Sequence, residues 1–114
     1  MKLSYEGIGQ WAATFACDGV EAGAPVKISG SGTVAACGNG DQFCGQVISC
    51  ARDGKACAVA LGGMVTVAYT GTAPAAGWAN LSANGSGGVK ADSAGRSYLV
   101  TAVDTAAKMV TFVL

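Results

Sequence analysis

Turn-forming residues interrupt this chain every few positions, and that spacing constrains the fold more than any other feature. Gly, Asn and Asp recur from Asp18-Gly19 to Asp104. The segments between them are about four to eight residues long and rich in Val, Ile, Thr and aromatic side chains. No stretch sustains a helical apolar stripe. The sequence therefore predicts an all-β fold, a small antiparallel barrel or sandwich of about eight to ten short strands. The clearest strand segments are Val26–Ile28, Phe43–Ser49, Cys57–Leu61, Met64–Tyr69, Tyr98–Val103 and Met109–Leu114.

Two pairs of neighbouring segments have the features of β-hairpins. Only two glycines separate Cys57–Leu61 from Met64–Tyr69, and paired glycines permit the positive φ angles of a tight turn. A short loop separates Leu99–Val103 from Met109–Leu114. Both faces of the last segment are apolar, so we expect that strand to be covered on each side.

The chain also looks like two related halves. The segments 24–61 and 77–114 align with a constant shift at their two ends and a two-residue slip in a glycine-rich turn. In this alignment Phe43 falls on Tyr98. We interpret the pattern as one strand unit used twice, packed about a pseudo-twofold axis with Met64–Tyr69 between the halves.

The N-terminal residues allow two interpretations. Residues 1–19 form either an extended arm or the first strand of the fold, and residues 20–114 form a single β domain. Aromatic side chains anchor many protein interfaces, and those near segment starts are candidates for exposure. The candidate interface residues are Tyr5, Trp11, Phe15 and Trp78.

The sequence lacks the residues on which most enzymes depend. It contains no histidine, which removes the usual base for a serine or cysteine nucleophile. The acidic residues lie mostly beside glycines, where Asp favours turns. The five cysteines are odd in number and include no close pair, so we expect reduced thiols that fill space as small apolar residues. We therefore predict no enzymatic activity, no metal site and no cofactor.

The charge pattern points to protein partners. Seven basic and seven acidic residues cancel and are scattered along the chain, so neither nucleic acid nor a membrane surface is an expected partner. No apolar run is long enough for a membrane span, and we expect no signal peptide, because the N-terminal residues lack an apolar core of that length. Charged residues make up only 12% of the chain, well below the ~25% of an average soluble domain. Such a weakly charged surface favours association with further copies.

Several segments resemble a family of small tailed-phage head proteins, the capsid cement or head decoration proteins. The similarity lies in Gly32-Thr33-Val34, Phe43-Cys44-Gly45-Gln46-Val47 and Gly63-Met64-Val65-Thr66-Val67, and it extends over about residues 20–114. The order and spacing of the turns carry it more than any single motif.

The resemblance implies a specific role. Family members bind the outside of an assembled head, often as trimers, at junctions between major capsid protein subunits. We therefore expect a homo-oligomer, with a trimer favoured, that is made in the bacterial host cytoplasm and ends on the virion exterior. Two alternatives stay open: another phage structural component (head fibre, tail or head–tail joining), or a small-ligand or carbohydrate-binding β-module that uses Trp11 or Trp78.

Overall fold

The structure, a computed structural model, describes residues 11–114. These residues form ten strands and no helix, which confirms the all-β prediction. The strands are β1 (Trp11–Ala16), β2 (Pro25–Gly30), β3 (Thr33–Ala36), β4 (Gly45–Cys50), β5 (Ala56–Gly62), β6 (Met64–Thr70), β7 (Gly77–Ala83), β8 (Val89–Ala91), β9 (Arg96–Asp104) and β10 (Met109–Val113).

The strands close into two five-stranded barrels with the same connectivity. The first barrel has the order β1-β3-β2-β4-β5, and the second has the order β6-β8-β7-β9-β10. Each barrel contains one parallel pair, β1 with β3 and β6 with β8, and its other pairs are antiparallel. The two halves predicted from the sequence are therefore these two barrels.

The strand registers define how the barrels correspond. Val47 faces Val59 in the first barrel as Val100 faces Phe112 in the second, so both pairs are related by the same shift along the chain. The ladder skips one residue of β4 just after Val47 and one residue of β9 just after Val100. A shared bulge at the same place supports a true structural repeat.

This register corrects two details of the predicted repeat. Phe43 is not the counterpart of Tyr98. The two-residue slip in the alignment ends before β4 begins, so Gly45 occupies the position that corresponds to Tyr98. Met64–Thr70 does not lie between the halves, since it is the first strand of the second barrel. Its counterpart is Trp11–Ala16, so these residues of the N-terminal segment form a strand of the first barrel.

One of the two predicted hairpins is wrong. β5 pairs with β1 and β4, whereas β6 pairs with β8 and β10, so the glycines at 62 and 63 join two barrels instead of two paired strands. A local turn pattern cannot show this, because the partners of both strands are distant in sequence. The other hairpin, β9 with β10, is confirmed. The prediction that the last strand is covered on both sides is confirmed only for its middle, because Val110, Thr111 and Phe112 are buried whereas Met109 and Val113 on the outer face are half-buried.

The loop between β3 and β4 joins the two barrels. Phe43 leaves the first barrel and enters the core of the second, where its ring stacks on Tyr98 at 5.0 Å and lies 5.8 Å from the ring of Phe112. Beside it, the Gly40 amide donates to the Ala83 carbonyl at 2.8 Å. The first barrel therefore supplies part of the second barrel's core.

The two barrels meet through different faces. The first barrel uses the outer side of β4 and β5, where Gln46 donates to the Thr66 carbonyl at 2.7 Å and Ala60 is fully buried. The second barrel contributes Thr66 of β6 and the end of β7. A pseudo-twofold axis would bring equivalent faces together, so that prediction is wrong and the barrels are arranged head to tail.

Candidate interaction surface

The outer side of the second barrel carries a row of apolar residues, one on each of four neighbouring strands. Trp78 of β7 faces Leu99 of β9, Leu99 faces Val113 of β10, and Val113 faces Met64 of β6. Their chain neighbours Val65, Tyr98, Val100 and Phe112 are buried in the core. Because side chains alternate along a strand, the row points outward. We call Trp78, Leu99 and Val113 the Trp78 face.

Trp78 is the most exposed of the large apolar residues in the described part of the chain. Its side chain is 73% exposed. It lines a depression of ≈ 200 Å³ together with Arg96, Leu99 and Leu114. An indole held open to solvent on an apolar row is typical of a surface that a partner covers.

Trp11 lies on the first barrel and is 60% exposed. Its indole covers Gly62 so closely that a Cβ at that position would overlap the ring. The neighbouring Gly63 accepts a hydrogen bond from the amide of Leu114 at 3.0 Å. Since Leu114 also lines the depression beside Trp78, the end of the chain links the surroundings of the two tryptophans.

The other two predicted interface residues do not join this surface in the described structure. Phe15 is half-buried and packs against the core of the first barrel. Tyr5 lies outside the described residues. Sequence reasoning missed two exposed residues, Ile28 at 53% and Ile48 at 50%. Ile48 is the residue that the β4 ladder skips, and a bulge leaves no signal in the apolar pattern.

The acidic side chains act in turns and ion pairs. Asp41 accepts from the Lys27 ammonium at 2.6 Å and from the Gly38 amide at 2.8 Å. The hydrogen bond with Lys27 and then the one from Gly38 lower the pKa of Asp41, and the same ion pair raises the pKa of Lys27. Asp92 has a lowered pKa for a similar reason, mainly the Ala94 amide. Both carboxylates therefore stabilise the loops in which they lie.

Burial keeps at least two of the five thiols in their protonated form. All five cysteines are free, and Cys17 and Cys57 are buried in the first barrel. Burial, and then a hydrogen bond with Cys17, raise the pKa of Cys57 to about 11. Burial likewise raises the pKa of Cys37 to about 11. The thiolate is the nucleophilic form, so neither side chain is activated at neutral pH.

The described residues offer no built site for a small ligand or metal. Within 11–114 no three His, Cys, Asp or Glu side chains are grouped so that they could hold a metal ion. Three surface depressions have volumes of ≈ 190, ≈ 250 and ≈ 200 Å³, below the roughly 300–1,000 Å³ of ligand pockets. Residues 11–114 contain no helix that is long and apolar enough to cross a membrane.

Comparison with known proteins adds no relative. No protein-family model matches the chain, and no curated protein is similar to it. The geometry of the two barrels and their exposed apolar residues is therefore the basis for any functional proposal.

Proposed function

We propose that this chain is a structural protein of a phage or prophage head, a decoration protein that self-associates and binds between major capsid subunits. The observation that carries the proposal is the Trp78 face, a row of apolar side chains on the outside of a closed barrel. Both barrels are closed by their own strands, so the face is not needed to complete either one. Its exposed Trp78 offers a contact to another protein.

The surface chemistry supports assembly. Seven positive and seven negative side chains leave the chain without net charge, so copies do not repel one another. An exposed tryptophan on an apolar row provides a strong contact at little conformational cost. Repeated weak contacts from several copies add to a high avidity on a symmetric shell.

The resemblance of residues 20–114 to decoration proteins supports the capsid as the partner. A shell offers many identical junctions, and a homo-oligomer can engage several capsid subunits at once. In this proposal Trp11, at the start of the described chain, belongs to the capsid-binding side together with the residues before it. The protein is made in the host cytoplasm and adds to the outside of the virion.

Co-sedimentation with capsids tests this function. Capsids from the phage or prophage that carries this gene are mixed with purified protein and separated on a density gradient. We expect the protein to migrate with expanded capsids and to raise the temperature at which they break. Protein that stays at the top of the gradient at every ratio would reject the capsid role. Migration with tails or connectors alone would favour the other phage structural roles.

A carbohydrate-binding module is the second candidate, because Trp78 and Arg96 line the same open depression. Sugars stack on exposed aromatic rings and bond to polar groups at their rim. A glycan array read together with tryptophan fluorescence tests it, with Trp78→Ala as the variant and Trp11→Ala as the control. A signal lost only in the first variant would favour this candidate, and silence of the native protein on the array would end it.

A further inference from the structure

The contact between the two barrels of one chain indicates how separate chains can contact each other. The first barrel touches the second with the outer row formed by Pro25, Gln46 and Ala60, which are paired across β2, β4 and β5. Gln46 donates to a carbonyl of β6, and Ala60 packs with the core of the second barrel. We call this outer row of a barrel its front.

The front of the second barrel is the Trp78 face. The repeat places Trp78 at the position of Pro25, Leu99 at that of Gln46, and Val113 at that of Ala60. In the first barrel this row is covered by the second barrel, and Ala60 is 0% exposed. In the second barrel no described residue covers the row, and Trp78 is 73% exposed.

The opposite surface, which receives the front, is the rear. In the second barrel it consists of Thr66 on β6, whose carbonyl accepts the hydrogen bond from Gln46, and the end of β7 from Leu81 to Ala83, which is buried. The corresponding surface of the first barrel is uncovered. Ile28 occupies the position of Leu81, yet it is 53% exposed where Leu81 is 0% exposed.

The rear of the first barrel also carries unpaired backbone groups. The amide of Cys17 donates to the carbonyl of Lys55, which immediately precedes β5. The alternation of an antiparallel ladder therefore turns the backbone groups of Ala12, Thr14 and Ala16 away from β5. Ala16 bonds to Gly32 at 3.0 Å, and β1 pairs with β3 only there. On the side of β1 that faces away from β5, Ala12 and Thr14 have no strand partner among residues 11–114. In the second barrel the corresponding carbonyl, that of Thr66, accepts a hydrogen bond from Gln46.

Among residues 11–114, each chain therefore has one front and one rear that no other barrel covers, and inside the chain a front and a rear of the same kind are already joined. We propose that the Trp78 face of one copy docks on the rear of the first barrel of the next copy, against Ala12, Thr14 and Ile28. The occupant of each surface is a second copy of this chain. The contact continues the interface between the barrels from one molecule to the next.

The proposed contact is heterologous, because two different surfaces meet. Such contacts generate a closed ring when the rotation between copies returns to the start, and an open filament when it does not. A trimeric ring would contain six barrels in a row with alternating internal and external contacts. The external contact differs in one respect, since residues 92–95 contain no aromatic residue to match Phe43. Trp78 supplies the large side chain instead.

Complementation between two variants tests this arrangement. Trp78→Lys places a charge on the front, and Thr14→Lys places one on the rear; both positions are exposed. Removing an anchor of this kind weakens a contact by about 30-fold or more. Each variant alone should be monomeric in light scattering and native mass spectrometry, whereas Thr105→Lys, in an exposed loop, should assemble as the native protein does.

The decisive measurement is an equimolar mixture of the two variants. The Trp78→Lys protein keeps an intact rear and the Thr14→Lys protein keeps an intact front, so the mixture should form one-to-one dimers that cannot grow further. Circular dichroism and thermal melting confirm that both variants are folded. A monomeric native protein, an unchanged oligomer of either variant, or a mixture without dimers would each overturn the proposal.

This inference rests on the self-association in the proposed function and not on capsid binding. The two can fail separately, because the assembly is measured without capsids. Native assembly with the predicted complementation but no capsid binding would reject the decoration role alone. Capsid binding by a protein that fails the complementation test would reject the head-to-tail contact alone.

Discussion

Replacing Phe43 with Ala tests whether the two barrels are energetically one unit. Phe43 belongs to the first half of the chain but is 3% exposed within the second barrel's core, where it packs against the rings of Tyr98 and Phe112. Truncation of a buried Phe costs about 3–5 kcal/mol, because apolar burial is lost and a cavity remains. Part of that cost is the aromatic contact itself, about 0.5–1.5 kcal/mol for such a pair.

The expected loss is large enough to measure directly. For a domain of this size each kcal/mol lowers the melting temperature by about 4 °C, so Phe43→Ala should melt about 12–20 °C below the native protein. Urea unfolding at a fixed protein concentration gives the free energy of unfolding independently. Phe15→Ala is the matched control, since the same side chain is only half-buried there and should cost less than half as much.

Hydrogen exchange locates the effect. We expect Phe43→Ala to reduce protection most in β7 and β9, which carry Leu81 and Tyr98 beside the lost ring, and less in β1 of the first barrel. A loss below about 1 kcal/mol, or a loss confined to the first barrel, would refute the view that this side chain completes the second barrel's core.

Three further predictions follow from single contacts. Gly62→Ala should displace the indole of Trp11, shift its fluorescence and cost roughly 1–3 kcal/mol by overpacking; unchanged emission would contradict the contact. The lowered pKa of Asp41 means that its ion pair stabilises the fold above its ordinary pKa of 3.8, and the contribution disappears as the pH falls through the lower folded value. Asp41→Asn should therefore flatten the loss of stability between neutral and acidic pH in urea titrations, and parallel profiles would argue against this. A thiol reagent should label the exposed Cys50 rapidly and the buried Cys57 only on unfolding, as mass spectrometry of the labelled peptides would show; equal labelling rates would contradict the burial.

The sequence was sufficient for the fold class and for parts of the site. Short branched segments between glycine turns predicted strands, and no helix competes with them in the described residues. Trp11 and Trp78 were predicted to be partly exposed because they begin segments beside small or polar residues, and both are. Local composition carries this information, since it depends on neighbours a few residues away.

The sequence pattern did not predict which strands pair with each other. The glycines at 62 and 63 have the pattern of a hairpin turn, yet the strands on either side complete different barrels with partners up to about 50 residues away. Phe43 and Tyr98 align as equivalents in a glycine-rich repeat, whereas in the structure their rings stack on each other. Both errors arise because closing a barrel is a long-range event that no local pattern encodes.

The sequence by itself determined that this chain forms strands, that its halves are alike and that its charged side chains are few and balanced, because these properties depend on residue type and spacing. Only the tertiary structure decided that the halves close separately and meet head to tail. That arrangement covers Leu81 and exposes its counterpart Ile28, a difference between two similar apolar residues that arises solely from which barrel lies next to them.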